Sequence, residues 1–307
     1  MIFIKVLLLD NWGDKAREVL EEVAEVHTRV ENFAKYDGLI TNLQPIDLRY
    51  YELGALKFVA SCTTGLDHID MGGCSKGIKI ISLKGETDFL RDVWATAEHT
   101  WALILSLIRK VPFAFEDVKQ GSWNREAWQG TELHGKTLGI VGYGRVGQQL
   151  SRYAESFGMN QVVYDKKFEI DRCPSNTLCT GRFKDVLRNS DIITVHVPLT
   201  DETAGMFGAE QFAMMKPGAY FINTSRGAVV DEWALINALN KGIIAGAAVD
   251  VVDGEHSDDS ILKNWLEKKC VNNLIITPHI AGNTAESREK TQLFIAQRIK
   301  DFIQGGG

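Results

Sequence analysis

Three ionisable residues in the second half of the chain stand where polar side chains gather in a parallel sheet. Arg226 follows the apolar segment FINTS, Glu255 lies shortly after AGAAVD, and His279 closes NLIITPH. Because the carboxyl ends of parallel strands meet at one edge, we expect these side chains to converge. Taken singly, each could equally be a capping or surface residue, and only their common placement favours a joint role.

The three side chains together suit the interconversion of an alcohol and a carbonyl group. A histidine can donate or accept the hydroxyl proton near neutral pH. A carboxylate bound to its second ring nitrogen would fix the tautomer, and an arginine fork matches a substrate carboxylate in bidentate geometry. We therefore assign His279 as the acid/base, Glu255 as its partner and Arg226 as the carboxylate ligand.

A glycine turn precedes these residues in the stretch LGIVGYGRVGQQL. Gly142, Gly144 and Gly147 have the G-x-G-x-x-G spacing between an apolar strand pattern and a helical pattern. The first glycine would form the tight turn, the second would let the backbone approach a pyrophosphate, and the third would pack helix on strand. The alternative is a turn that needs glycine without any ligand, and the flanking strand and helix favour the dinucleotide.

The predicted strand QVVYD ends in Asp165, which lies 18 residues beyond Gly147. A carboxylate here would bind the adenosine ribose hydroxyls and repel a 2′-phosphate. The sequence therefore predicts NAD as cofactor rather than NADP. The neighbouring Lys166 and Lys167 weaken that preference.

The elements that must position these residues alternate along the chain, which predicts an α/β fold with parallel sheets. Strand patterns occur in IFIKVLLLD, YDGLITN, LKFVASC and GIKIISL, and again in KTLGIV, QVVYD, DIITVHVPL, AYFINTS, AGAAVD and NLIITPH. Helical spacing marks NWGDKAREVLEEVAE and SREKTQLFIAQRIKDFI. The segment Asp88–Val111 contains neither glycine nor proline, so we predict one long helix that Pro112 ends or kinks.

Composition narrows the class of protein. With 307 residues the chain is long enough for two domains, and its net charge of −6 gives no support for binding to nucleic acid or anionic membranes. The apolar start MIFIKVLLLD is too short for a signal sequence, so we expect it to form a buried first strand. The odd number of cysteines and their lack of paired motifs favour a cytoplasmic protein. The five cysteines have no C-x-x-C spacing, so we expect free thiols and no metal site (Cys62, Cys74, Cys173, Cys179, Cys270).

Several of these motifs together resemble the D-isomer-specific 2-hydroxyacid dehydrogenase family. The similar stretches are GTELHGKTLGIVGYGRVGQ, VHVPLTDETAGMF, MKPGAYFINTSRGAVVDEWAL and PHIAGNT, and the resemblance extends from about Ser61 to the C-terminus. It implies reversible hydride transfer between NAD(H) and a small 2-hydroxy or 2-oxo acid, of the 3-phosphoglycerate or hydroxypyruvate/glyoxylate class. The catalytic residues that it implies are Arg226, Glu255 and His279.

The resemblance also implies the residues around the two ligands. Asp250 matches the position that holds the nicotinamide carboxamide, and CTTGLDHID resembles a loop whose backbone N–H groups bind the substrate carboxylate. The implied substrate ligands are Thr63, Thr64, Gly65 and Arg226. The implied cofactor ligands are Gly142, Gly144, Arg145, Val146, Gly147, Asp165, His196, Pro198, Thr203, Thr224, Ser225, Asp250 and Gly282.

The family fold would consist of two Rossmann-like, doubly wound domains. Residues 1–93 and 283–307 would form the substrate domain, and residues 94–282 would form the inserted NAD-binding domain. The helix at Asp88–Val111 would be the crossover and the arm of a homodimer. An alternative of the same fold is an NAD(H)-gated corepressor-like binding protein, which we expect to carry long tails or peptide-binding extensions.

Two departures from the family pattern leave alternatives open. First, Glu255 is followed by His256 where the family usually has a proline, and Asp253, two residues before Glu255, could be the carboxylate partner instead, although the spacing favours Glu255. Second, Lys84 stands where a proline is common in the family. Lys84 and Arg91 are additional cations near the expected cleft. They could bind a second anionic group of the substrate, or they could be solvated surface charges.

Overall fold

The computed structural model describes residues 4–30, 35–47, 50–51, 56–72, 77–166, 177–255, 260–267 and 272–305. The chain divides into two compact units, the first formed by Met1–Val93 with Asn283–Gly307 and the second by Trp94–Gly282. Each unit contains a parallel β-sheet flanked by helices. The predicted α/β class with two doubly wound sheets is confirmed.

The first unit is built on a five-stranded sheet in the order β2-β1-β3-β4-β5. Its strands are β1 Ile4–Leu8, β2 Ala24–His27, β3 Gly38–Thr41, β4 Phe58–Ser61 and β5 Lys79–Ser82. Its helices are α1 Asp14–Glu21, α2 Thr87–Leu90 and, from the end of the chain, α10 Ala285–Ile303. The predicted closing helix is thus confirmed as α10, whose Ile295 and Ile299 are completely buried in this unit's core.

Strand β2 corrects the sequence prediction that one helix extends through Glu25. The helix ends at Glu21, and Ala24–His27 instead pair in parallel with β1, with Ile4 opposite Ala24. The apolar residues of this short segment satisfy both periodicities, and pairing with the neighbouring strand outweighs local helix propensity.

The second unit is built on a seven-stranded sheet in the order β12-β11-β10-β9-β6-β7-β8. Its strands are β6 Thr137–Val141, β7 Asn160–Tyr164, β8 Thr177–Thr180, β9 Ile192–Val195, β10 Ala219–Asn223, β11 Ile244–Val249 and β12 Leu274–Ile276. Its helices are α3 Ala95–Ile108, α4 Val111–Lys119, α5 Arg145–Ser156, α6 Phe183–Asn189, α7 Ala209–Met214, α8 Glu232–Asn240 and α9 Ile261–Glu267. Short 3₁₀ turns follow at Arg125–Trp128 and Gly227–Val229.

Both faces of this second sheet are buried, because successive strand residues enter two different cores. Residues such as Ile140 and Ile222 pack with α3 and α5, whereas Val195 and Phe221 pack with α6, α7 and α8. The strand order reverses at β6, which has β7 on one side and β9 on the other. Such a reversal opens a crevice beyond the carboxyl ends of the strands, where ligands of doubly wound sheets bind.

The long helix predicted for Asp88–Val111 is wrong. Helix α2 ends at Leu90, and α3 begins only at Ala95. Val93 is buried in the core of the first unit and Ala97 in a core of the second, so the chain changes units where a continuous helix was expected.

The end of α3 is set by Lys110, which adopts a left-handed backbone conformation with φ of 56°. Pro112 does not kink this helix but lies in the first turn of α4. Proline lacks a backbone N–H group, but N–H groups in the first turn of a helix have no acceptor within the helix, so no hydrogen bond is lost.

The prediction of five free thiols is wrong for Cys179, which is disulfide-bonded. Cys62 is a free cysteine, and burial, together with the nearby Asp10, raises the pKa of its thiol well above the ordinary value. Cys74, Cys173 and Cys270 lie outside the described residues. Within the described part of the chain, no helix combines the length and apolarity that crossing a membrane requires.

Candidate active site

His279 lies three residues beyond β12 in a conformation that side chains rarely adopt. Its φ of 54° places it in the left-handed region, which is strained for a residue other than glycine. Two backbone hydrogen bonds hold it there, because the His279 N–H donates to the carbonyl oxygens of Asp250 at 2.8 Å and Thr277 at 3.0 Å. The direction in which the His279 side chain leaves the backbone is therefore set by two neighbouring loops.

Asp250 directly follows β11, and its carboxylate accepts hydrogen bonds from the histidine loop. Its Oδ1 accepts the Ile280 N–H at 2.9 Å, and its Oδ2 accepts the Ala281 N–H at 2.8 Å. The Thr277 hydroxyl donates to Oδ1 at 2.5 Å. One fully buried side chain thus binds the residues on both sides of His279.

A second histidine, His99 of α3, supports this cluster from the adjacent helix. Its Nε2 lies 3.1 Å from Thr277 Oγ1 and 3.3 Å from Asp250 Oδ1. Burial alone would raise the pKa of Asp250, but the hydrogen bonds from His99, Thr277 and the two loop N–H groups lower it below its ordinary value. Asp250 is therefore a carboxylate throughout the neutral range.

The predicted carboxylate–imidazole pair is formed by Glu255. Both of its carboxylate oxygens lie 2.9 Å from Nδ1 of His279. Asp253, the alternative partner, is exposed, and its Oδ1 accepts the Gly254 N–H at 3.1 Å. A carboxylate at Nδ1 requires the proton on that nitrogen, which leaves Nε2 to exchange a proton with a ligand.

The loop that carries Glu255 is held by Glu232, the first residue of α8. Glu232 Oε1 accepts the Asp253 N–H at 2.8 Å, and Oε2 accepts the Leu262 N–H at 2.9 Å. Burial raises the pKa of this carboxyl group, and Asp253 adds to the rise, whereas the two N–H groups and Lys263 oppose it.

The Arg226 loop follows β10 and is shaped by Asn223. The Asn223 side chain accepts from the Ser225 N–H at 2.9 Å and donates to the Arg226 carbonyl oxygen at 2.9 Å. Gly227 lies directly on the backbone of the glutamate loop, since a Cβ at this position would come 2.0 Å from the Val252 carbonyl carbon. The arginine loop and the glutamate loop are therefore in direct contact, and Arg226 itself is half-buried.

The glycine turn has the geometry that a bound pyrophosphate needs. Gly142 has a φ of 94°, and a Cβ there would come 2.5 Å from the His196 carbonyl oxygen. A Cβ on Gly147 would come 2.2 Å from the Gly142 carbonyl oxygen, so this glycine packs helix on strand. Gly144 has open space around it, and its helix α5 begins without an acidic residue in the first turn or a side-chain cap. These features fit an anion at the helix N-terminus.

Asp165 follows β7 and contacts the same turn. Its Oδ2 accepts the Tyr143 N–H at 2.7 Å, so the carboxylate is fixed beside the glycine turn. Lys166 is paired with Glu202, whose two oxygens lie 2.7 and 2.5 Å from its Nζ. This pairing neutralises the cation next to Asp165, while Lys167 lies outside the described residues.

The remaining predicted cofactor residues lie at the same edge of the sheet. His196 follows β9, with Nε2 2.8 Å from the Thr194 hydroxyl, and burial together with Arg145 lowers its pKa to about 3. It is therefore neutral at physiological pH. Thr203 donates to the Pro198 carbonyl oxygen at 2.6 Å and closes that loop on itself.

Three further predicted cofactor residues adjoin the arginine and histidine loops, and a fourth, Val146, lies at the glycine turn. The Thr224 hydroxyl lies 2.8 Å from that of Thr100 on α3, and the Ser225 hydroxyl donates to Asn223 at 2.7 Å. Gly282 has open space around its Cα. Val146 is in the first turn of α5, beside Gly147.

In the first unit, the predicted substrate loop follows β4. The Thr63 hydroxyl donates to the Gly65 carbonyl oxygen at 2.7 Å and lies 2.8 Å from the Ser61 hydroxyl. The backbone N–H groups of Thr64 and Gly65 have no acceptor within the described part of the chain. A loop of this kind, closed by its own side chain with N–H groups to spare, can bind an anion.

The two additional cations differ in their surroundings. Lys84 is exposed just beyond β5. Arg91 is exposed as well and pairs with Asp88 at 3.1 Å. Neither is held in a buried site.

Sequence reasoning missed four side chains that support the site, namely His99, Asn223, Glu232 and Thr277. His99 lies within a helix and contacts a loop 178 residues away, so no local pattern marks it. Asn223 ends β10 and Thr277 directly follows β12, so both stand at strand ends that the sequence had already indicated. Glu232 carries no such signal, because an acidic residue is common at the start of a helix and its burial, at 6% exposure, is visible only in the structure.

Comparison with known proteins places the second unit in one family. Residues 101–281 match the model described as "D-isomer specific 2-hydroxyacid dehydrogenase, NAD binding domain". These residues include the glycine turn, the arginine loop and the histidine loop. The chain thus contains an NAD-binding domain, as the sequence predicted.

Full-length relatives point to the same family. The chain is 38% identical over 258 residues to a D-3-phosphoglycerate dehydrogenase of Bacillus subtilis, covering 83% of this chain but 47% of that protein. It is 36% identical over 287 residues to a glyoxylate reductase of Thermococcus litoralis, covering 90% of this chain and 83% of that one. The chain therefore spans about half the length of the phosphoglycerate dehydrogenase it matches.

A solved structure shares the fold along nearly the whole chain. D-Lactate dehydrogenase of Aquifex aeolicus, crystallised with NAD and lactic acid, superposes with a TM-score of 0.83 at 30% sequence identity. The match covers 98% of this chain and 96% of that one.

We predict that Asp250→Asn destabilises the protein and slows its reaction. An amide offers one acceptor oxygen where the loop needs two, so the free energy of unfolding falls by roughly 1–3 kcal/mol. Because the pKa of Asp250 is lower in the folded state, its ionised carboxylate stabilises the fold at pH values above the unfolded-state pKa. This stabilisation is lost as the pH falls through the folded-state pKa. Denaturant titrations should therefore show that the difference in the free energy of unfolding between Asp250→Asn and wild type becomes smaller below about pH 4.

Asp191→Asn is the matched control. Asp191 accepts the Thr137 N–H at 2.8 Å and pairs with Lys216, but it precedes β9 at the opposite edge of the sheet. Asp191→Asn should lower stability and leave turnover near wild type. Equal turnover of the two variants would contradict a role of Asp250 in holding His279.

We predict that Asp165→Ala weakens NADH binding by about 1–3 kcal/mol, because the ribose contact is lost. The affinity for NADPH, whose 2′-phosphate the carboxylate repels, should fall less. The preference for NADH over NADPH, measured as the ratio of the two dissociation constants, should therefore decrease. Nicotinamide fluorescence titrations measure both constants. An unchanged ratio would show that another residue reads the ribose.

Proposed function

Because this chain belongs to the D-isomer specific 2-hydroxyacid dehydrogenase family, we propose that it is an NAD-dependent oxidoreductase of small 2-hydroxy and 2-oxo acids. The observation that carries this function is the His279–Glu255 pair. It lies beyond β12 and β11, at the same edge of the sheet as the glycine turn after β6. An imidazole held by a carboxylate at that edge is suited to proton transfer beside a nicotinamide.

His279 acts as the acid during reduction and as the base during oxidation. With Nδ1 bound to Glu255, its Nε2 donates a proton to the oxygen of the 2-oxo group. Bound NADH supplies the hydride that reduces the adjacent carbon. In the reverse direction Nε2 accepts the hydroxyl proton, and the Glu255 carboxylate stabilises the imidazolium that results.

Arg226 binds the substrate carboxylate and polarises the neighbouring carbonyl. Its guanidinium donates through Nη1 to the Ser225 carbonyl oxygen at 2.7 Å, which orients the planar group. A fork held in this way matches a carboxylate in bidentate geometry. For the first unit, we propose that it is the substrate domain and that the spare N–H groups of Thr64 and Gly65 bind an anionic group of the substrate.

The names of the relatives support the substrate class that we propose. They include 3-phosphoglycerate dehydrogenases, glyoxylate reductases and a D-lactate dehydrogenase. We favour 3-phosphoglycerate or hydroxypyruvate and glyoxylate, with Lys84 available for a phosphate. We propose that Asp250 binds the nicotinamide carboxamide through Oδ2, because Oδ1 already has three partners.

We further propose that the protein is a cytoplasmic homodimer that uses the apolar face of α4 and the segment after it. Phe115 is 64% exposed and Trp123 is 87% exposed. Val111 and Val118, which share the helix face of Phe115, are exposed as well. Apolar surface of this extent marks a protein contact. Sedimentation equilibrium should give twice the monomer mass for the wild type and the monomer mass for Phe115→Asp, and a monomeric wild type would refute the dimer.

A panel of 2-oxo acids tests the function directly. Glyoxylate, hydroxypyruvate, pyruvate and 3-phosphohydroxypyruvate are each mixed with NADH, and the loss of NADH absorbance is followed. We expect turnover of at least one of them, and a preference for the phosphorylated acid that is lost in Lys84→Ala would assign Lys84 to its phosphate. NADH-dependent binding of a protein partner without any turnover would favour the corepressor-like alternative.

His279→Asn provides the control for the panel. It should abolish reduction while the NADH dissociation constant stays within about twofold of wild type, because the imidazole serves proton transfer and not cofactor binding. His134→Asn, which changes an exposed histidine of the same unit, should retain full activity. Full turnover by His279→Asn would remove this residue from the mechanism.

A further inference from the structure

The loop that carries Glu255 is bound at both ends by one buried side chain. Glu232 accepts the Asp253 N–H, two residues before Glu255, at 2.8 Å. Its other oxygen accepts the Leu262 N–H at 2.9 Å, on the far side of the loop. Since Glu232 is the first residue of α8, a rigid helix determines where this loop begins and ends.

A carboxylate at this position is costly, and the surroundings offset only part of the cost. Glu232 is 6% exposed, and exposed Asp253 next to it repels a second negative charge. The compensating groups are the two N–H donors, which belong to the start of α9 and to the glutamate loop, and the cation Lys263. Burying a charge for stability alone is rarely favourable against an apolar replacement.

The groups that Glu232 binds lie next to residues that hold Glu255. Asp253 N–H is fixed by Glu232, and the Val252–Asp253 backbone is covered by Gly227 of the arginine loop. Lys263, one residue beyond Leu262, donates to the Glu255 carbonyl oxygen at 3.2 Å. Three contacts therefore hold the backbone from Val252 to Glu255. The Glu255 carboxylate contacts His279 Nδ1.

We propose that Glu232 is a positioning residue of the reaction, which acts by holding Glu255 against His279. This role rests on the function proposed above. The reaction requires the Glu255 carboxylate to stay within hydrogen-bond distance of the imidazole while the ring gains or loses a proton. A displacement of the loop by about 1 Å would lower the rate roughly 10- to 100-fold without changing which groups contact NADH.

Glu232→Gln tests this role with the least change in shape. Its amide presents one oxygen and one NH₂ group to two N–H donors, so one of the two loop contacts must break. We expect kcat to fall roughly 10-fold or more, with the KM for NADH within about twofold of wild type. Glu232→Asp keeps the charge but is one methylene shorter, and it should lose less activity than Glu232→Gln.

A double-mutant cycle with Glu255→Gln separates positioning from general support of the fold. If Glu232 acts through Glu255, adding Glu232→Gln to Glu255→Gln should change kcat by less than about twofold. A merely structural role would lower kcat by the same factor in both backgrounds. Kinetics are measured with the best 2-oxo acid of the panel, at a temperature where circular dichroism shows every variant folded.

Asp231→Ala is the matched control, since Asp231 is the adjacent acid and caps α8 through the Ala234 N–H at 3.1 Å. It should lower stability while kcat stays near wild type. Additive effects in the cycle, or equal losses for Asp231→Ala and Glu232→Gln, would overturn the inference. If Glu255→Gln itself leaves kcat unchanged, or no 2-oxo acid is reduced, the proposed function fails and Glu232 has no pair to position.

Discussion

The Asp250 carboxylate is the constraint on which the candidate active site depends. It binds the N–H groups of Ile280 and Ala281 and the hydroxyl of Thr277, and so encloses His279 in a loop that must pass through a left-handed conformation. Such a conformation costs free energy and persists only where neighbouring contacts determine it. The resulting ring orientation is the one that brings Nδ1 to Glu255.

The site is held by backbone contacts between loops that follow neighbouring strands. Asn223 shapes the arginine loop after β10, Gly227 presses that loop on the backbone after β11, and Asp250 links β11 to the histidine loop after β12. Because β10, β11 and β12 are adjacent in one parallel sheet, each loop supports the next. The rigidity that the proposed hydride and proton transfer would require therefore comes from the edge of the sheet.

Much of this arrangement could be predicted from the sequence because it follows from strand ends. Arg226, Glu255 and His279 each come shortly after an apolar strand pattern, and the glycine turn has a spacing with its own physical reason. Strand β2 and the break before Ala95 could not be predicted in this way. The first depends on pairing with β1 and the second on a change from one core to another, and neither leaves a local pattern.

The supporting side chains were missed for a related reason. His99 contacts the histidine loop across 178 residues, and Glu232 contacts the glutamate loop across 21 and 30 residues. Hydrogen bonds at these separations depend on tertiary structure, which periodicity does not describe. The disulfide at Cys179 likewise has no spacing signal in the sequence.

The tautomer of His279 tests most directly whether this site is built as described. In protein labelled with ¹⁵N in its seven histidines, the signals of His279 are identified by their loss in a variant that lacks this ring. We expect a hydrogen-bonded proton on Nδ1 at every pH at which the protein reduces a 2-oxo acid, whatever the protonation state of Nε2. A neutral ring with its proton on Nε2 and none on Nδ1 would contradict it, because the Glu255 carboxylate would then face a nitrogen lone pair.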